Sequence, residues 1–234
     1  MQFFYVEDIS ENLLVLSEEE SHHCIKVLRR QTGDMIKLTD GKGNLFEARI
    51  EKANPKKCEV KIINSHKDYG KRDFKIHIAV APTKNMSRIE WFLEKATEIG
   101  IDEVSFVICD YSERKEIKRE RLVNISKAAA KQSLKAWFPK INTSITFAEF
   151  ISQETSAQKY IAYLDPENSK SIKSLYRKGN DTTILVGPEG DFSKEEVNKA
   201  IEAGFIPINL SESRLRTETA ALVSCFMIHF FNTP

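Results

Sequence analysis

Two stretches near the C-terminus combine glycines with side chains able to handle charge: Gly187-Pro188-Glu189-Gly190 and Ser211-Glu212-Ser213-Arg214-Leu215-Arg216-Thr217-Glu218. The chemistry on offer is that of guanidiniums beside carboxylates. Arg214 or Arg216 can stabilise a developing anion, and Glu189 or Glu218 can take a proton. Each residue also has a plainer use. Glu218 is the kind of first-turn acid that complements a helix N-terminus, and the arginines can pair with Glu212 and Glu218 on the surface. Gly187 and Gly190 let the backbone pass close to a bound molecule or take positive φ, while Pro188 stiffens the turn.

Both loops need rigid elements on either side. Thr182 to Val186 is a β-branched run of the kind that forms a buried strand, and Ser193-Lys194-Glu195-Glu196 is a capping box that opens a helix. Ile206 to Leu210 is strand-like again, and Thr217 onward begins a second helix with an acidic first turn. Two neighbouring strand-loop-helix units make a cleft at the strand carboxyl ends.

Upstream, strands and helices alternate from Phe74: a strand to Val80, a helix from Asn85 to Ile99 capped by Ser87 to Glu90 and stopped by Gly100, then Val104 to Ile108. A long helix from Lys115 to Ala136 and strands at Ser144 to Phe147 and Tyr160 to Leu164 follow. This alternation calls for a parallel sheet covered on both faces, an α/β fold. The first part of the chain reads differently. Short strands at Phe3 to Val6, Leu13 to Leu16, Met35 to Thr39, Leu45 to Ile50 and Cys58 to Ile63, one helix from the capping box at Ser17 to about Arg29, and a hairpin turn at Asp40 to Gly43 suggest a small β-barrel. The polar stretch around Lys67 to Asp73 is the natural boundary, giving domains 1–68 and 74–234 with a linker at 69–73.

Composition narrows the partners. The 234 residues carry a net charge of only +1, so global basicity offers no argument for nucleic acid. Locally, Ser112 to Lys140 holds nine Lys/Arg against three Glu, which suits either a solvated helix face or an RNA-facing surface. The four cysteines, Cys24, Cys58, Cys109 and Cys225, are scattered without ligand spacing, so neither a metal site nor a disulfide framework is expected. Nothing resembles a signal peptide or a membrane span, and a cytoplasmic protein is expected. The closing helix, Ala220 to Phe231, is apolar on nearly every side and should be buried on several, a dimer surface among them.

Leu185-Val186-Gly187-Pro188-Glu189-Gly190 with Phe192-Ser193, and then Leu210 with Arg214 to Ala220, resemble the two signature motifs of the RsmE family, the 16S ribosomal RNA uracil-N3 methyltransferases. His23 to Arg29, Gly33 and Asp40-Gly41 are similar to that family's PUA-like RNA-binding barrel; Lys84 with Glu90-Trp91 and Glu94 to Gly100, and Ala130 to Ser133 with Pro139, resemble its central helices. The resemblance implies a SPOUT-type domain with a deep trefoil knot that binds S-adenosylmethionine, contacted by Leu185, Gly187, Pro188, Glu189, Gly190, Leu210, Ser211, Leu215, Arg216, Thr217 and Ala220. It implies a homodimer and methylation of uridine N3 in the 16S rRNA near the decoding centre of the assembled small ribosomal subunit; for that chemistry Arg216, between the strand end and the helix start, is the expected stabiliser of developing charge, and Glu218 or Glu189 the proton acceptor. A knotted methyltransferase for a tRNA base or a ribose is the alternative. Lys26, Arg29, Arg30, Lys84, Arg88, Lys131 and Lys135 are the expected RNA contacts. The chain departs from the family pattern at Asp191, where another glycine is usual, and at Lys131 and Lys135, where Glu and Arg are usual. Lys does not reproduce a bidentate Arg contact.

Overall fold

The computed structural model describes residues 2–7, 9, 12–163 and 170–233. The chain divides into two compact units, residues 1–71 with 127–138, and residues 72–126 with 139–234. The segment 127–138, expected in the C-terminal domain, thus groups with the N-terminal residues.

The first unit contains β1 (Phe3–Tyr5), β2 (Leu13–Val15), α1 (Glu18–His22) running on into a π-helical turn at His23–Val27, β3 (Met35–Thr39), β4 (Leu45–Lys52) and β5 (Glu59–His66). They form a five-stranded sheet of order β1-β3-β4-β5-β2 whose edge strands do not pair, so the expected barrel is an open half-barrel. Ser17 caps α1 by accepting from the Glu20 N–H, but the Glu20 carboxylate does not close a capping box. It pairs instead with Lys131, in the segment 127–138. The same segment supplies Trp137, whose ring lies where any side chain at Gly43 would have to go, 2.2 Å from an ideal Cβ. Gly43 also sits at φ 98°, so both space and backbone demand glycine in that turn.

The second unit is built from β6 (Ile76–Val80), α2 (Met86–Ile99), β7 (Glu103–Ile108), α3 (Arg119–Gln132), β8 (Lys140–Thr146), α4 (Phe147–Gln153), β9 (Gln158–Ala162), β10 (Lys170–Ser171), α5 (Ile172–Leu175), β11 (Thr182–Val186), α6 (Lys194–Glu202), β12 (Ile206–Asn209) and α7 (Thr217–Asn232). From Lys127 on, the residues of α3 belong to the first unit. The expected helix from Lys115 to Ala136 is therefore shorter at both ends, and the strand expected to reach Leu164 stops at Ala162, with Leu164 itself outside the described residues. Short α4 was not anticipated; Thr146 and Glu149 form its capping box. The cap of α2 also differs from expectation. Asn85, not Ser87, accepts the first-turn N–H, and Glu90 is drawn off to Arg121.

Seven parallel strands lie in the order β10-β12-β9-β11-β6-β7-β8. Side-chain alternation sends Ile76, Ile78, Val80, Ile184 and Val186 into one core with α2 and α7, and Ala79, Ala81, Ile161 and Leu185 into another with α4 and α6. All five residues of β11 are buried, which is what a central strand covered on both faces requires.

Candidate cofactor cavity and active site

Strands β9, β11 and β12 are neighbours, and a cavity of about 420 Å³ opens at their carboxyl ends. Its apolar part is Ala162, Val186, Ile208, Leu210, Leu215 and Ala220; Gly187, Pro188, Ser211 and Thr217 add backbone and small polar groups. The charged lining is Arg88, Glu189, Asp191, Arg214 and Arg216. A few polar groups over an apolar floor is the usual construction of a small-molecule site, and the volume suits one.

The first loop is shaped by packing. Neither Gly187 nor Gly190 has positive φ. A Cβ on Gly187 would lie 3.1 Å from the Phe192 ring, and one on Gly190 3.1 Å from Tyr111 Cβ. The left-handed residue is Asp191, at φ 65°, the position where the family pattern most often carries glycine. Aspartate tolerates that conformation better than most side chains, and its Oδ1 accepts from the Phe192 N–H at 2.9 Å. Burial pushes the Asp191 carboxyl above its ordinary value, outweighing the Phe192 N–H and the nearby Arg214. Glu189 Oε1 accepts from the Lys84 N–H at 3.0 Å, and Arg114 donates to the Lys84 carbonyl, so three loops are tied together here.

The second loop turns on serine and asparagine. Asn209 Oδ1 accepts from the Ser211 N–H at 3.0 Å and Ser211 Oγ from the Ser213 N–H at 3.1 Å. Helix α7 then starts without a side-chain cap, because its N-cap residue is Arg216. Its first-turn N–H groups are left for water or a ligand. The guanidiniums of Arg214 and Arg216 have no hydrogen-bond or ion-pair partner among the described residues, so the pairing with Glu212 and Glu218 open on sequence grounds does not form. Glu218 instead lies 3.8 Å from Arg88 Nε. Its side chain is only 10% exposed, and Oε2 has no partner among the described residues.

The structure gathers Gly187, Pro188, Glu189, Leu210, Ser211, Leu215, Arg216, Thr217 and Ala220 around one cavity. Leu185 is not among the lining residues: it faces the α4 and α6 core, one step out of phase with Val186. Gly190 lies beneath Tyr111, outside the lining. Arg88, expected to meet RNA, lines the cavity, while Glu218 is not among the lining residues and lies 3.8 Å from Arg88 Nε. The sequence reading missed Ala162, Tyr163 and Asn209; only the pairing of Ala162 with Val186 and Ile208 brings the end of β9 to the site. Among the remaining RNA candidates, Lys26 and Arg29 are exposed, Arg30 is exposed with Asp34 at 3.9 Å, and Lys84 is exposed beside Glu113. Lys131 is held by Glu20 with its side chain 18% exposed, a structural contact, and Lys135 is partly buried.

Among the described residues no cluster of His, Cys, Asp or Glu could hold a metal ion, and no helix is long and apolar enough to cross a membrane.

Known proteins bear on this site. A family model for an RNA methyltransferase domain matches residues 71–229, and one for an RNA methyltransferase PUA domain matches residues 16–63. Ribosomal RNA small subunit methyltransferase E of Bacillus subtilis is 28% identical, covering 98% of this chain and 96% of that protein. The crystal structure of a probable rRNA-methyltransferase from Porphyromonas gingivalis superposes with a TM-score of 0.93 at 45% identity, over 99% of this chain and 98% of that one. A putative methyltransferase from Legionella pneumophila, in complex with the bound cofactor SAM, does so with a TM-score of 0.86 at 28% identity, over 99% and 97%. With the catalytic-domain match spanning most of the second unit and the PUA match lying within the first, the chain belongs to the RNA methyltransferase family, among the small subunit methyltransferase E proteins.

Proposed function

We propose that this protein transfers a methyl group from S-adenosylmethionine to N3 of a uridine in 16S rRNA near the decoding centre, on the assembled small ribosomal subunit in the cytoplasm, working as a homodimer with a deep trefoil knot at its cofactor site. The single observation that carries the reading is the cavity at the ends of β9, β11 and β12, which combines an apolar floor with uncapped helix N–H groups and guanidiniums that have no partner among the described residues. The Legionella relative that holds SAM supports the choice of cofactor, and the small subunit methyltransferase E relatives support rRNA as substrate.

The residues present fit that cofactor. Val186, Ile208, Leu210 and Leu215 offer a dry surface for an adenine, the loops at Gly187 and Leu210 offer backbone groups, and the start of α7, without a side-chain cap, offers N–H groups. When bound, the cofactor supplies a methyl group on a positively charged sulfur. The chain must align that methyl with N3, and positioning of this kind supplies much of the acceleration in a displacement. Uracil N3 must also lose its proton, leaving charge on the flanking carbonyl oxygens. Arg216, lining the cavity, stabilises that charge, and Glu189 and Asp191 are the carboxylates lining the cavity that can accept the proton. Glu218 serves through Arg88, holding its guanidinium against the cavity.

The homodimer rests on α7, where Phe226 and Phe230 stack on each other at 5.8 Å while 51% and 61% exposed. An outward-facing aromatic pair on so apolar a helix supports an association surface here. Sedimentation at micromolar concentration should give a dimer; a monomer contradicts this part of the reading.

The deciding experiment incubates the protein with labelled S-adenosylmethionine and small ribosomal subunits lacking the modification, followed by nucleoside analysis. Labelled 3-methyluridine in 16S rRNA is the expected product. Label in tRNA alone, or on ribose, overturns it.

A further inference from the structure

We propose that the exposed ring of Tyr111 is the platform on which the target nucleobase stacks as it enters the cofactor cavity, an inference that rests on the reading of the site as an RNA base methyltransferase. Tyr111 sits just after β7 in a turn fixed on both sides. The Ser112 N–H donates to the Cys109 carbonyl and the Cys109 N–H to Ser112 Oγ, each at 3.0 Å. The Asp110 N–H donates to Glu196 Oε1 at 2.9 Å, while Ser193 Oγ donates to Asp110 Oδ2 at 2.6 Å, which ties the turn to the start of α6.

On this pinned backbone the side chain is 57% exposed, and no ring or cation of the described residues packs on its face. Its stem is nevertheless placed with care. A Cβ on Gly190 would meet Tyr111 Cβ at 3.1 Å, Cγ at 3.6 Å and Cδ2 at 3.8 Å, so the absence of a side chain at Gly190 lets the tyrosine pack closely against this loop. The flanking residues Glu189 and Asp191 both line the cavity. The stem of the tyrosine therefore stands at Gly190, one residue from the cavity wall, with more than half of the side chain exposed.

Methylation at N3 needs the Watson–Crick edge of the base free, so the base must leave its pairing and stacking partners. Single-stranded and extruded bases are held by stacking on aromatic side chains, because every base offers a π-face. Arg114, three residues on, adds positive charge for the neighbouring phosphates, its guanidinium held at the Lys84 carbonyl at 3.3 and 3.2 Å, and the Lys84 N–H in turn donates to the cavity-lining Glu189.

The test compares Tyr111→Ala, Tyr111→Leu, Tyr111→Phe and Tyr111→Trp with the wild type, using small ribosomal subunits lacking the modification. Loss of one base–aromatic stack raises KM for the subunits about tenfold in the Ala and Leu variants, with kcat nearly retained and the Phe and Trp variants close to wild type. Direct binding of the same subunits without cofactor weakens in parallel, and calorimetric affinity for S-adenosylmethionine stays unchanged. Wild-type KM in Tyr111→Ala overturns the inference. So does a loss of cofactor affinity or of the dimer in that variant, because the ring would then be supporting Gly190 or a subunit contact. If the wild-type enzyme itself transfers no methyl group to these subunits, the underlying reading falls and this inference with it.

Discussion

The two ends of the seven-stranded sheet carry cavities of opposite construction. At the carboxyl ends, about 420 Å³ are lined by an apolar floor and by Arg214 and Arg216, which have no partner among the described residues, with Glu218 beside Arg88, one oxygen likewise without a partner there. At the amino ends, about 660 Å³ are lined by Asp73, Lys75, His77, Glu103, Glu154 and Asp181, and the charged groups there mostly hold one another. His77 Nδ1 lies 3.1 Å from Glu154 Oε2, and its Nε2 lies 2.9 Å from Ser105 Oγ. Glu103 Oε1 takes Lys140 at 2.8 Å and Asn142 at 2.6 Å, and Asp181 Oδ1 accepts from the Lys75 N–H at 2.8 Å. The Ser105, His77 and Glu154 row has the outline of a nucleophile with its base and orienting acid. Yet Ser105 is buried, is engaged by Asn142 as well, and is absent from the cavity lining. Volume and charge alone would favour the wrong end; what separates the two is whether the polar groups have already found partners within the fold.

That difference can be broken by substitution at either end. Arg216→Ala at the open end should lower kcat about 10²-fold with cofactor affinity and melting temperature nearly unchanged, as expected for a donor to developing charge. Wild-type turnover in that variant would remove Arg216 from the mechanism. Glu154→Gln at the closed end should do the reverse, lowering stability by about 2 kcal/mol in urea denaturation while leaving kcat within about twofold. The sign of its pH dependence is fixed by the environment. Burial alone would raise the Glu154 carboxyl, but hydrogen bonds from His77 and Ser156 outweigh it and hold the group at about 2, below its ordinary 4.5. The stability it contributes is complete above pH 4.5 and is lost as pH falls from there toward 2. Glu103 is also lowered, its hydrogen bonds from Lys140 and Asn142 prevailing over burial, and adds to the same window. Acid titration of wild-type stability should therefore steepen below pH 4.5, and Glu154→Gln should flatten that slope. An unchanged slope would mean that the pair does not hold in solution.

The open end was far more legible in the sequence than the closed end, for a physical reason. Gly187-Pro188-Glu189-Gly190 and Arg214 to Ala220 are contiguous, and a ligand loop between a strand and a helix leaves its mark in consecutive residues. The Ser193 capping box and the Gly100 stop are equally local, and both form as the sequence suggests. His77, Ser105, Glu154 and Thr183 come from four separate segments brought together only by strand order, so no spacing announces them. The same limit explains Glu20 and Lys131. Ser17 with Glu20 has the letters of a capping box, and a partner 111 residues away takes the carboxylate. It also explains Arg88 and Glu218, whose roles depend on α2 and α7 lying side by side.

Asp191 tests the comparison most gently, because at this position the open end carries strain as well as charge. Its φ of 65° lies in the left-handed region, which costs a non-glycine residue roughly 1 kcal/mol. Asp191→Gly removes that cost, but it also frees the unfolded chain, which works against folding by about 0.4 to 1 kcal/mol. The Oδ1 bond to the Phe192 N–H is lost as well. These terms nearly cancel, so the melting temperature should move by no more than about 2 °C. Cofactor affinity is the sharper readout. If the half-buried carboxylate faces the cationic end of the ligand, its removal weakens S-adenosylmethionine binding by about threefold and spares the neutral product S-adenosylhomocysteine, since a partly screened charge contributes only a fraction of a kcal/mol to 1 kcal/mol. Equal affinity for both ligands before and after the substitution would show that Asp191 fills a backbone niche and nothing more.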